Sequence, residues 1–166
     1  MAIITWHNGE VPKGMEIRQV YGLIFTKDGR ILLTVEDKES GKKYSLAGGT
    51  PESYDTDMGA TLRRELIEEI NTTIEEPVLV GYQEIDEEDG SAKYAQVRMS
   101  AIIDNIGPRQ VDPATGKIYG WILTSPKEAI NLINWGEVGK LQIEEAVKIA
   151  KEKLGLNIFS NLEENV

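Results

Sequence analysis

SLAGGTPESYDTDMGATLRRELIEEINT, residues 45–72, joins a double glycine to a helical pattern rich in glutamate. From about Asp57 to Ile70 it predicts a helix, because Met58, Leu62, Leu66 and Ile70 recur every four residues and form one apolar stripe for burial. Ahead of the helix, Tyr44 to Ala47 is a short strand candidate that runs into Gly48-Gly49. Two adjacent glycines let the backbone turn tightly and approach a ligand or ion with no side chain between them.

The same helix carries Glu65, Glu68 and Glu69 at i, i+3 and i+4, so the three carboxylates project along one strip beside the apolar stripe. Like charges at this spacing cost roughly 0.2–0.5 kcal/mol each, and the negative end of the helix dipole adds about 0.3–1 kcal/mol per charge. A cation would reverse both signs. A Glu-Glu pair on a helix is by itself most often a solvated surface, and Arg63 and Arg64 offer a local offset. The double glycine just upstream favours the metal reading, since hard divalent ions take oxygen ligands and keep several waters.

Outward from this segment the elements are short and mixed. Gln19 to Phe25 and Arg30 to Val35 flank the turn Lys27-Asp28-Gly29 and predict a hairpin. Pro77 to Ile85 and Lys93 to Ile103, separated by Asp86 to Ser91, predict a second one. Tyr119 to Leu123 reads as a strand, followed by a short helix to Ile133 with Ser125 as cap and Pro126 at its first position. Ile143, Ala146, Val147, Ala150 and Leu154 mark a last helix that Gly155 stops. Such a succession predicts an α/β (α+β) fold, a mixed β-sheet flanked by helices.

The chain has 166 residues, 40% of them hydrophobic, which suits one domain over 1–166. Eighteen basic against 28 acidic residues leave a net charge of -10, which argues against binding a nucleic-acid polymer. A phosphorylated small molecule stays compatible, because a divalent cation bridges carboxylates to phosphate oxygens. Without cysteine there is no disulfide, thiolate zinc site or iron–sulfur cluster. Met1 to Glu10 does not read as a secretory signal and no apolar run has membrane-spanning length, so the expected location is cytoplasmic, with no membrane contact. The first ten residues offer an added strand that contacts a second subunit, which leaves room for a homodimer.

The double glycine, the acidic loop and Arg64-Glu65-Leu66-Ile67-Glu68-Glu69 resemble the Nudix box, the signature of the Nudix hydrolases. In that family the box reads Gly, five residues, Glu, seven residues, Arg-Glu, an aliphatic residue, any residue, Glu-Glu, any residue, Gly, aliphatic. The resemblance covers about Gly48 to Thr72. Three positions depart from the pattern: the loop is one residue longer, Asn71 stands for the last glycine, and Thr72 for the final aliphatic residue. Asn tolerates the left-handed conformation of a helix cap, so Asn71 preserves the stop. Either Asp55 or Glu52 takes the role of the loop acid, supporting Arg64 or the metal shell.

The resemblance implies a Nudix-like α/β/α sandwich and hydrolysis of a diphosphate linkage in a nucleoside diphosphate derivative or related phosphorylated metabolite. It makes Glu65, Glu68, Glu69 and the Gly48 carbonyl ligands of Mg²⁺, or Mn²⁺ in its place. Glu68, Glu69 and Arg64 become the catalytic group, with Arg64 holding the loop to the helix. Some family members use a base outside the box, for which Glu87 and Glu88 in the acidic hairpin turn are candidates. The alternative is a sensing module on the same fold that binds a nucleotide-like metabolite without turnover. The substrate-binding residues are not assigned, although Tyr21, Tyr82, Tyr94, Tyr119, Trp121 and Trp135 offer aromatic faces. His7, the sole histidine, reads as a surface or packing residue.

Overall fold

The computed structural model describes residues 1–157, Phe159 and the backbone of 164–165. Residues 158, 160–163 and 166, which the one-domain expectation included, lie outside the described residues. In chain order the elements are β1 (Ile3–Asn8), β2 (Glu16–Phe25), β3 (Ile31–Lys38), β4 (Gly41–Ser45), β5 (Ala47–Gly49), α1 (Met58–Ile70), β6 (Thr72–Ile74), β7 (Val78–Asp86), β8 (Tyr94–Ile106), β9 (Gly120–Thr124), α2 (Pro126–Ile133), α3 (Gly136–Lys153) and β10 (Glu164–Asn165). The strands form a mixed sheet in the order β1-β7-β8-β2-β3-β9-β10, in which β2 and β8 run parallel and the other pairs antiparallel.

Alternating residues of the central strands feed two cores on opposite faces of the sheet. Val20, Ile24, Leu32, Val97 and Leu123 pack with Leu62, Leu66 and Ile70 of α1. Leu23, Phe25, Ile31, Leu33 and Ile122 pack with Ala129 and Ile133 of α2 and Ile143, Ala146 and Ala150 of α3. Helix on sheet on helix is the expected α/β/α sandwich. Both caps of α1 follow from its sequence: Asp57 accepts a hydrogen bond from the Ala60 N–H at 2.8 Å, and Asn71 ends the helix at φ 50°.

The expected hairpins differ in outcome. β7 and β8 pair as predicted, from Val78↔Ser100 to Ile85↔Tyr94. β2 and β3, in contrast, meet only at Phe25↔Ile31 before they part. Beyond that point β5 takes the edge of β2, pairing Gly48 with Tyr21 and Gly49 with Val20, while β3 pairs with β4 and β9. The double glycine makes this exchange sterically feasible, for a Cβ on Gly48 would lie 2.2 Å from the Val20 carbonyl oxygen.

The first ten residues do form an added strand, and it joins the sheet of its own chain. β1 pairs with β7 from Ile3↔Asp86 to Asn8↔Gly81, covering an edge whose backbone groups would otherwise be unpaired.

Leu66 is fully buried whereas its neighbour Ile67 is 47% exposed. Leu66→Ala should therefore cost about 2–5 kcal/mol of unfolding free energy and Ile67→Ala less than about 0.5 kcal/mol, with urea denaturation as the measurement.

Candidate active site

The site lies where β5 and α1 come together. Glu65 reaches under Gly49 so closely that a Cβ there would stand 2.4 Å from the Glu65 carboxyl carbon. Glu69 reaches the Gly48 N–H, which donates to its Oε2 at 3.3 Å. Glu65 and Glu69 line one cavity of about 430 Å³ with Gly48, Gly49, Tyr21, Tyr119 and Asp112. Glu68 is not among its lining residues and stands beside it, with its side chain 29% exposed.

Arg64 organises the anionic side of the site. Its Nε and Nη2 donate to the two oxygens of Asp55 at 3.0 and 2.9 Å, a bidentate pair, and Nη2 also donates to the Thr50 carbonyl at 2.9 Å. Nη1 donates to Glu65 at 3.1 Å and Glu68 at 3.2 Å. One guanidinium thus holds the longer loop to the helix and offsets two of the three glutamates. The cluster is therefore less unfavourable than a sequence reading of its charges implies.

Of the two loop acids, Asp55 is the one that pairs with Arg64. Asp55 accepts from Arg64, from the Thr61 hydroxyl at 2.8 Å and from the Glu52 N–H at 2.9 Å, and these donors hold its carboxyl well below the usual carboxylate range. Glu52 is exposed and lines the cavity without touching Arg64.

Glu69 behaves in the opposite way. Burial, reinforced by Asp112 and Glu65 and opposed by the Gly48 N–H, pushes its carboxyl up to about 8. Burial also raises Glu65. Asp112 is the functional candidate that sequence reasoning missed. It comes from the stretch between β8 and β9, is 5% exposed, and accepts from the Ala114 N–H at 2.9 Å. The only local signal was its turn chemistry, Asp112-Pro113-Ala114. What carries it to the site is a set of tertiary bonds: the Gly107 N–H donates to the Asn71 carbonyl at 2.9 Å, and the Asn71 amide to the Pro108 carbonyl at 3.0 Å.

Glu87 and Glu88 are not brought to this cluster. Glu87 accepts from the Tyr94 hydroxyl at 2.6 Å, and Glu88 is an exposed turn residue at φ 59°. Tyr94 pairs with Glu16, five residues along β2 from Tyr21, or roughly 16 Å at strand spacing. Among the aromatic candidates, Tyr21 and Tyr119 reach the cavity. Trp121 and Tyr82 are buried in the core, and His7 stacks on Tyr82 with ring centroids 4.9 Å apart.

A hard divalent cation suits this donor set, which offers carboxylates and a glycine backbone close by and no sulfur or imidazole. Among the described residues no three acidic or imidazole side chains converge enough to cage an ion alone. Such an open arrangement matches an ion that keeps waters and takes phosphate oxygens as its remaining ligands.

These charge states give a pH signature. Glu69 binds a proton in the fold that it has lost when unfolded, so stability without divalent metal falls as pH rises from 4.5, its ordinary value, to about 8. Asp55 has the opposite sign, and its contribution is lost only as pH falls below 3.8, its ordinary value. The melting temperature of the metal-free protein should decline across the first window, and Glu69→Gln should flatten that decline. An unchanged slope in the variant would refute the assignment.

Comparison with known proteins places the chain. Residues 15–152 match the NUDIX domain. A search of curated protein sequences returns no match. Among solved structures, the Bacillus subtilis pyrophosphohydrolase BsRppH superposes with a TM-score of 0.68 at 16% identity, covering 93% of each chain. A Nudix hydrolase from Nitrosomonas europaea gives 0.58 at 19% identity over 87% of this chain and 93% of that one. The MutT protein from Bacillus halodurans gives 0.56 at 19% over 78% and 81%. At these identities the structural likeness shows the fold, and the sequence match shows the family. With its helix, double glycine and arginine clamp in this arrangement, the chain belongs to the NUDIX domain family.

Proposed function

We propose that the protein is a Mg²⁺-dependent diphosphate hydrolase that cleaves a nucleoside diphosphate derivative or a related phosphorylated metabolite. The observation that carries this reading is the pair Glu65 and Glu69, held against Gly49 and Gly48 in one cavity with Asp112. Three largely covered carboxylates in one cavity are costly unless a cation joins them. We assign Glu65, Glu68, Glu69 and the Gly48 carbonyl as the residues that hold Mg²⁺ or Mn²⁺, with one glutamate also orienting the attacking water. Bound there, a divalent ion supplies charge neutralisation at the phosphate oxygens and a water of lowered pKa.

The remaining tasks fall to the chain's own groups. Arg64 keeps the glutamate strip in register with the loop through Asp55, so Asp55 is a positioning residue. Lys43 lines the cavity, and Lys42, Arg109 and Lys117 line an adjoining one that shares Glu36 and Tyr119 with it. Lys117 is paired with Glu36 at 2.8 Å, so Lys42, Lys43 and Arg109 are the cations we assign to compensate phosphate oxygens outside the metal site. The water oxygen adds to phosphorus, the bridging P–O bond breaks, and the two halves leave as phosphate esters. We read residues 1–166 as one such unit acting in the cytoplasm. No helix among the described residues is long and apolar enough to cross a membrane.

The decisive assay is a panel of nucleoside diphosphate derivatives incubated with and without Mg²⁺. Glu68→Gln and Glu69→Gln should each lower kcat by about 10²-fold or more, comparable to removing one preorganised electrostatic group from an active site. Metal binding without product from any panel member would instead favour a metabolite sensor, and no metal binding would refute both.

The glycines separate fold from function. Gly48→Ala meets backbone at 2.2 Å and should impair folding, whereas the nearest atoms that Gly49→Ala meets are those of the Glu65 carboxylate. Gly49→Ala should keep a melting temperature near wild type yet lose about tenfold or more in Mg²⁺ affinity by calorimetry.

A further inference from the structure

Arg98 is a buried cation that the carboxylate site does not use. It projects from the centre of β8, is 2% exposed, and has no carboxylate partner among the described residues. Its Nε donates to Gln142 Oε1 of α3 at 2.7 Å, while the buried Nη1 has no acceptor among the described residues. Burial lowers its pKa only to about 10, so the guanidinium stays charged at neutral pH.

A relay of amides fixes its orientation. Gln142 donates to Gln83 Oε1 at 2.9 Å, Gln83 to Gln96 Oε1 at 2.9 Å, and Gln96 to Gln19 Oε1 at 3.0 Å. Each amide turns its oxygen towards the cation side of the chain and its NH₂ away, so the dipoles align and strengthen one another. They lock the guanidinium through Nε and leave its fork free. Tyr21 lies 4.9 Å and Trp135 5.7 Å from the guanidinium carbon. Aromatic faces and amide dipoles soften a buried charge but do not neutralise it.

Arg98 lines a cavity of about 350 Å³ whose apolar walls include Ile4, Tyr21, Trp135 and Val138, and among the described residues no acidic one lines it. Val138 is in the first turn of α3, whose N-cap residue, Trp135, makes no side-chain capping bond, so the positive end of that helix adjoins the cavity. Tyr21 and Ser45 line both this cavity and the carboxylate one. Tyr21 pairs with Arg98 on one side and with Gly48 on the other, which sets the two backbones about 10 Å apart.

We propose that Arg98 and this cavity form a second, metal-free subsite that binds an oxyanion, a carboxylate or phosphate group attached to a planar or apolar body. The proposal rests on the hydrolase reading only for the source of that group, which is the remote end of the substrate or a separate small molecule. A planar guanidinium held by one nitrogen is preorganised for two parallel N–H···O bonds, and an anion supplies the charge that the fold leaves unmatched.

The test uses the full chain without divalent metal, so that the glutamate site cannot capture an anion through a cation. Benzoate is titrated into isotope-labelled protein while the Arg98 side-chain resonances and the melting temperature are followed. We expect a saturable shift of the Nε–H signal and a higher melting temperature, with neither produced by the neutral isostere benzamide. Arg98→Lys, which keeps the charge but loses the fork, should weaken benzoate about tenfold. Trp135→Ala, which leaves the guanidinium and its relay in place, should weaken it as well and keeps the test valid if the Arg98 variant does not fold. Unmoved Arg98 resonances, or wild-type benzoate affinity in both variants, would overturn the proposal.

The source is read separately. With any substrate that the panel identifies, KM is compared between versions with and without a carboxylate or phosphate on the remote group. A preference in wild type that disappears in Arg98→Lys assigns the site to substrate, and benzoate binding without such a preference assigns it to a free oxyanion. Since benzoate binding is measured without metal or turnover, its failure is distinct from a failure of the hydrolase reading.

Discussion

The bidentate contact between Arg64 and Asp55 is the interaction on which the site depends. It closes a loop that begins at the double glycine and ends at the N-terminus of α1, with Thr61 and the Glu52 N–H completing the carboxylate's partners. With the loop pinned, Gly48 and Gly49 lie against the second half of the helix, and Glu65 and Glu69 face the backbone where no side chain intervenes. In this longer loop both oxygens of Asp55 meet the guanidinium.

Charge on this protein is distributed by environment more than by count. The net charge of -10 is mostly solvated, as at the exposed turn of β7 and β8. Near the cavity the same chemistry becomes demanding, since desolvation raises Glu69 and Glu65 while Arg64 holds Asp55 ionised. On the other face of the sheet the sign is reversed. Arg98 is buried among neutral amides, with no acid among the described residues to meet it. Tyr21 and Ser45 line both cavities.

Local periodicity carried most of the fold. The stripe from Met58 to Ile70, the stop at Asn71, the second hairpin and both later helices are all readable from spacing and turn chemistry. The parting of β2 from β3 was not, because Phe25-to-Ile31 looks locally like any hairpin and the competitor for its edge, β5, is only three residues long. The added first strand was legible as a strand, but its partner was a question of which sheet edge lay free. Its pairing with β7 was decided by the sheet's order.

The candidate site divides along the same line. By itself the sequence determined that Glu65, Glu68 and Glu69 share a helix strip, that a double glycine precedes them, and that the pattern is that of the Nudix box, since each is a matter of spacing within one segment. Packing of distant segments was needed to show that Asp55 pairs with Arg64 while Glu52 faces the cavity, and that Asp112 joins the cluster while Glu87 and Glu88 do not. Arg98 likewise became visible as a buried cation only once β8 and α3 were packed together. Desolvation and charge pairing depend on which distant strands a residue is folded against, and no local pattern in the chain encodes that.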